Sequence, residues 1–373
     1  MATHAGFKSL AICPPSTLRT PAYWRQHFPE VVTAAESRSL GRLFAGGSAT
    51  STDPFQIEMQ GYLKDPFRGT VECRVLGPEE TTLSLELKAA RDALAAANMG
   101  PGDIDAILAA SFVPDRLFPG NAVHLARDLG ADAPAWNLES TCSGAVVGIQ
   151  SAAALVRAGE YRNVLLVTSC SYSRMLDVAD TLSWFMGDGA GAAVIGEVPE
   201  PHGVLGTKLI STKSTCGAFA TGVTLDRQGK PVFRMASGDE EATRRMRDDA
   251  AEQLETSATG ALAAAGVRLQ DIDFFIFNTP TAWFARFCAR VLGIDPERTL
   301  SVYPRYGNIG AALTMTNLYH AAHAEKIPRG ALVLIYAVGS VSTAGATVVR
   351  WGDVALGPPP PPSSTLQMAA SPA

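Results

Sequence analysis

The chain has 373 residues, 47% of them hydrophobic, which is more than one core usually organises, so two packed halves or domains are expected. Its 31 basic and 36 acidic residues leave a net charge of −5, with no basic footprint for nucleic acid. No uninterrupted apolar run reaches about 18 residues, so no membrane span is expected. Six scattered cysteines without CxxC or other metal spacing indicate reduced thiols, no metal site and a cytoplasmic location.

The opening residues, Met1–Lys8, lack the charged and apolar regions of a secretion signal. Strand and helix patterns then alternate, which argues for an α/β protein. The segment Ala93–Leu108 reads as a helix end, a turn and a buried strand. Next comes Asn137-Leu-Glu-Ser-Thr-Cys142-Ser-Gly-Ala, where an apolar-polar run breaks off and a long apolar helix pattern begins. Cys142 is therefore expected on the first turn of a buried helix, where free N–H groups and the helix dipole stabilise a thiolate. Position alone also fits a packed core cysteine.

A buried strand follows at Val164–Val167, with Cys170 packed just beyond it. Gly187-Asp-Gly-Ala-Gly lacks GxGxxG spacing and precedes a strand, which excludes a dinucleotide loop. Asp188 is expected to hold that turn. Arg244, Arg245 and Arg247 lie in an acid-flanked helical stretch and read as a solvated face.

The chain then repeats itself. Ala93–Leu108 recurs as Ala261–Ile276, and Val164–Val167 recurs at the same offset as Leu332–Ile335. Ala190–Ile195 is echoed by Ala344–Val349, and Cys142-Ser-Gly-Ala corresponds to Asn308-Ile-Gly-Ala. The three strand-bearing pairs, in the same order, imply two duplicated halves, 1–200 and 201–355. Packing about a pseudo-twofold axis would bring two helix N-termini together, with Cys142 and Asn308 facing one pocket. The Pro-rich stretch 356–373 is expected to be extended or disordered and outside the fold. Of the histidines, His320 and His323 lie at least three turns beyond Asn308, too far to share its pocket, and His124 reads as a capping or core residue.

These stretches resemble the β-ketoacyl-ACP synthase III group of the thiolase superfamily. The matching motifs are Thr141-Cys142-Ser-Gly-Ala, Met186-Gly-Asp188-Gly-Ala-Gly, Arg305-Tyr-Gly-Asn308-Ile-Gly-Ala-Ala and Ala337-Val-Gly-Ser340-Val-Ser-Thr. The resemblance implies a five-layered α-β-α-β-α fold and a homodimer. It also implies that Cys142 takes an acyl group from acyl-CoA or acyl-carrier protein, with no cofactor beyond that substrate. The oxyanion hole implied is the N–H of Cys142 and that of Ser340, where the family has glycine. The family's catalytic asparagine falls on Asn308, but Asn278 occupies the position of its histidine. Trp283 replaces an arginine used for carrier or cofactor contact, and Arg286 lies close by, where a one-turn shift would alter any phosphate contact.

A neutral amide is neither a base nor a cation. The expected activity is therefore transfer of the acyl group to a hydroxyl, amine or carrier thiol, in polyketide- or fatty-acid-type biosynthesis. The alternatives are carbon–carbon condensation with Asn in place of His, and a non-catalytic partner subunit of an active synthase. Retention of Cys142 argues against the last.

Overall fold

The computed structural model describes residues 4–44, 52–225, 229–339 and 343–370. Its first half supplies β1 (Ala5–Cys13), β2 (Thr17–Arg19), β3 (Cys73–Val75), β4 (Ala106–Phe112), β5 (Ala135–Asn137), β6 (Asn163–Ser171) and β7 (Asp188–Glu197). The second supplies β8 (Gly203–Ser211), β9 (Phe219–Leu225), β10 (Pro231–Ser237), β11 (Phe274–Phe277), β12 (Leu332–Val338) and β13 (Thr343–Arg350), followed by the short β14 (Ala355–Leu356) and β15 (Gln367–Met368).

Two sheets dominate, with orders β14-β1-β7-β6-β4-β5 and β11-β12-β13-β8. Within them β1-β7-β6-β4 and β8-β13-β12-β11 follow the same path. β1/β7 and β6/β7 are antiparallel and β4/β6 parallel, as β8/β13 and β12/β13 are antiparallel and β11/β12 parallel. Each repeated segment lands on the matching element. Ala93–Leu108 ends one helix, passes a 3-10 turn and enters β4, while Ala261–Ile276 does the same into β11.

Strand alternation then sorts the side chains into layers. Along β6, Val164 and Leu166 face a central core while Leu165 and Val167 face an outer one. Along β12, Val333 and Ile335 join the same central core, and Leu332 and Leu334 point to a third. The central core is filled by the helices Gly144–Arg157 and Ala311–His323, and all six of Ala145, Val146, Ile149, Ala152, Ala153 and Val156 belong to it. The helix Thr82–Ala96 covers the outside of the first sheet and Ala250–Ala265 the outside of the second. The result is the five-layered α-β-α-β-α arrangement of the thiolase fold. Among the described residues no helix is long and apolar enough to cross a membrane.

The Pro-rich stretch departs from expectation. It is extended, but it lies on the body. Tyr319 Oη donates to Gly357 O at 2.8 Å, Arg74 Nη2 donates to Pro361 O at 3.2 Å, and β15 pairs in parallel with β2. An extended proline run leaves its carbonyls free, and donors from remote parts of the chain meet them here.

Candidate active site

Cys142 stands in a 3-10 turn, Thr141–Ser143, immediately before the helix Gly144–Arg157 rather than inside its first α-turn. Thr141 reaches φ +49°, a region that costs a β-branched residue about 1–3 kcal/mol. The turn is tied down on both flanks. Glu139 Oε1 accepts from Thr141 N at 3.0 Å, and Ser143 Oγ donates to Ser140 O at 2.7 Å.

Asn308 is set by the glycine-rich turn before β7. Asn308 N donates to Phe185 O at 2.7 Å, and Gly187 N donates to Asn308 O at 3.0 Å. Its Oδ1 accepts from Gly310 N at 2.9 Å. Gly187 has no alternative here, because a Cβ on it would lie 2.2 Å from Tyr306 O. Asp188 anchors the same turn, accepting from Leu76 N at 2.7 Å and Ser173 N at 2.9 Å. Burial raises its pKa against those hydrogen bonds.

The two helix N-termini do converge. A Cβ on Gly144 would stand 3.3 Å from that of Ala311, the first residue of the second central helix. Cys142 and Asn308 consequently line one cavity of about 560 Å³. Its wall is largely apolar, from Phe55, Phe112, Met186, Phe219, Met235, Met246 and Phe284, with Glu139, Tyr172, Gln253, Arg247 and several threonines among the polar exceptions. Three lining hydroxyls, of Thr141, Thr281 and Tyr336, are buried with no partner among the described residues. Buried polar groups are normally paired, so these three suit a ligand that carries polar atoms.

The thiol is 7% exposed, and Tyr172 Oη lies 3.6 Å from its Sγ. Burial raises the Cys142 pKa, opposed by the Tyr172 hydrogen bond and by a backbone one, with Glu139 raising it further. Desolvation is the largest of these influences, so a thiolate at Cys142 needs hydrogen-bond donors at its sulfur.

Other expected site residues fall elsewhere. Asn278 is fully buried and does not line the cavity; its Nδ2 donates to Gly310 O at 3.1 Å, supporting the loop that carries Asn308. Trp283 and Arg286, expected at the carrier contact, do not line it either. Trp283 is 4% exposed and packs edge-on to Phe55 at 6.0 Å. Arg286 turns outward to Glu58, 3.2 Å away. Ser340 lies outside the described residues. Its neighbour Gly339 presses on the nucleophile turn, where a Cβ would meet Thr141 Oγ1 at 2.5 Å. His320 bonds Tyr306 Oη at 3.0 Å, and burial lowers its pKa to about 4. Among the described residues no group of His, Cys, Asp and Glu is arranged to hold a metal ion.

Several lining residues escaped the sequence reading. Tyr172 follows an apolar strand and looks like core. Glu139 stood in the motif run as a mere break. Arg247, read as a solvated face, lines the cavity while it pairs with Asp248 at 2.7 Å.

The duplicated halves and a cysteine at the central helix junction define a protein of the thiolase fold. Comparison with known proteins narrows this. Residues 136–213 match the profile of 3-oxoacyl-[acyl-carrier-protein (ACP)] synthase III, and 262–351 match its C-terminal counterpart. A beta-ketoacyl-[acyl-carrier-protein] synthase III of Brucella suis is 34% identical over 300 residues, covering 76% of this chain and 88% of that protein. The Agrobacterium fabrum protein of the same description is 34% identical over 293 residues, covering 74% and 86%. The chain belongs to the 3-oxoacyl-ACP synthase III family, a family of enzymes. In structure it is similar to the Thermus thermophilus synthase III (TM-score 0.75, 25% identity, covering 93% of this chain and 99% of that one). The priming β-ketosynthase of the R1128 polyketide pathway shares the fold (TM-score 0.77, 20% identity, covering 94% and 97%).

Proposed function

We propose that this protein is an acyltransferase of the synthase III type. It forms an acyl thioester on Cys142 from acyl-CoA or acyl-carrier protein and passes the acyl group to a hydroxyl, amine or carrier thiol. The observation that carries this reading is the composition of the cavity. It holds Cys142 and Asn308, and no histidine is among its described lining residues. Asn278, in the position the histidine would take, is committed to Gly310 O. Malonyl decarboxylation would therefore lack one of its two donors, a loss that typically costs about 10²–10³ in rate. A protic acceptor needs instead a group that takes its proton, and Glu139 lines the same cavity. The substrate's own phosphopantetheine arm is the only carrier required. The protein acts as a homodimer.

A second reading, carbon–carbon condensation, draws support from the names of the relatives. Intact-mass measurement with panels of acyl-CoA and acyl-carrier protein, beside Cys142→Ala, tests the first step. The wild type should gain one acyl mass and the variant none. No adduct with any donor would sink both enzyme readings in favour of a partner subunit. Adding malonyl-carrier protein to the acyl-enzyme then separates the two: rapid CO₂ release would overturn transfer.

A further inference from the structure

Tyr172 emerges from the end of β6 into a 3-10 turn, Tyr172–Arg174. The turn is held by Asp188, which accepts from both the N and the Oγ of Ser173. The ring is held too. It meets Phe112 edge-on at 5.4 Å, and its Cε2 would be 3.7 Å from a Cβ on Gly310. Its hydroxyl is thereby delivered to 3.6 Å from Cys142 Sγ, and both groups line the cavity. Thiol and phenol can each donate while the cysteine is neutral. Once Cys142 is a thiolate, only the phenol can.

We propose that Tyr172 is a catalytic residue, donating a hydrogen bond to the Cys142 sulfur whenever that sulfur carries charge. The inference rests on the acyl-cysteine reading only for its second readout. In acylation the Cys142 thiolate, held by Tyr172, attacks the thioester carbonyl. A bond forms from Sγ to the acyl carbon and the bond to the carrier sulfur breaks. The carrier sulfur leaves with the electron pair and takes up the proton that Cys142 released. In transfer the acceptor attacks, its proton passes to a carboxylate or water, and Sγ leaves with its pair toward the same phenol. Tyr172 remains protonated throughout, consistent with burial raising its pKa well above the ordinary value. The other titratable groups that act on the thiol are Glu139 and Cys170, which interact with it unfavourably when charged, and Cys170 also hydrogen-bonds the Tyr172 hydroxyl.

Iodoacetamide alkylation of Cys142 reads the thiolate directly, with no acyl donor. It is best followed in a Cys216→Ser background, because Cys216 is the exposed cysteine. Tyr172→Phe keeps the ring and removes the donor. At fixed neutral pH, alkylation should slow about 10- to 100-fold, the value of a hydrogen bond to a charged group, and the pH profile should move upward. Acyl-adduct formation should slow by a similar factor. Fluorotyrosine at position 172, a stronger donor of nearly the same shape, should move the profile downward and serves if the Phe variant fails to fold. Coincident alkylation profiles for wild type and fluorotyrosine protein would overturn the proposal. An absent acyl adduct with a shifted profile would instead fault the proposed function and leave Tyr172 as the thiolate's donor.

Discussion

At the carboxyl of Glu86, burial decides charge. The group accepts from Ser111 Oγ at 2.6 Å, Ser169 Oγ at 2.5 Å and Asn121 Nδ2 at 2.8 Å. Desolvation nevertheless raises its pKa from 4.5 to about 7. Between those values the folded protein holds a proton that the unfolded chain has lost, so unfolding free energy falls as pH rises. The contribution is full below the unfolded pKa and gone once pH has passed the folded one. It amounts to about 3 kcal/mol at most. Glu86→Gln should flatten the Tm-against-pH curve between about pH 4.5 and 7. Asn121 Oδ1, which has no partner among the described residues, offers the new amide an acceptor once the Asn121 amide turns over. Parallel curves for variant and wild type would refute the assignment. None of this is legible in the sequence, because a glutamate on an amphipathic helix reads as surface. Cys142 and Asn308 were legible, since each opens a run of small apolar residues at equivalent places in the repeat. Asn278 was legible as a substitution but not in its role, which depends on where Gly310 O points. Tyr172 was hidden by its strand, where an aromatic after six apolar or small residues looks like packing.

Among the elements, the duplicated βαβ units were readable because each copy carries its own helix end, turn and strand in a contiguous stretch. The contact between copies was not readable in detail, and the active site depends on one such contact. The turn at Gly187 and the loop at Asn308 meet as a single parallel bridge, Met186 to Asn308. Gly187 is indispensable there because the atom its Cβ would strike at 2.2 Å is the backbone oxygen of Tyr306, which cannot rotate away. Gly187→Ala should push the Asn308 loop from the cavity. Acyl transfer should fall at least about 10-fold, the scale of a misplaced catalytic group, while iodoacetamide still labels Cys142. Unchanged transfer kinetics would show that the loop tolerates the displacement. The C-terminal strap was unreadable for a related reason. Its composition left extended and disordered chain equally open and placed it outside the fold, because the donors that fix it, Arg74 and Tyr319, lie far away in sequence.

For the whole molecule, the first sheet leaves one edge open. Among the described residues β5 pairs only with β4, through Ile107, Leu108 and Ala109, so its other side presents backbone groups that no described strand meets. Trp136 on that strand is 37% exposed, and Val123, Leu117 and Phe118 are 44%, 72% and 95% exposed. Such a combination of open edge and apolar side chains invites aggregation unless something covers it. A second copy related by a twofold axis would cover it self-consistently, each β5 continuing the other's sheet. Wild-type protein should therefore sediment at twice the 39.2 kDa of the chain. Trp136→Asp combined with Val123→Asp places charge on both sides of the axis, where like charges oppose docking. Both positions are solvent-facing in the single chain, where such changes usually alter stability by less than about 0.5 kcal/mol. The double variant should sediment as a folded monomer. A wild type that is already monomeric, or a variant that stays dimeric, would remove β5 from the interface.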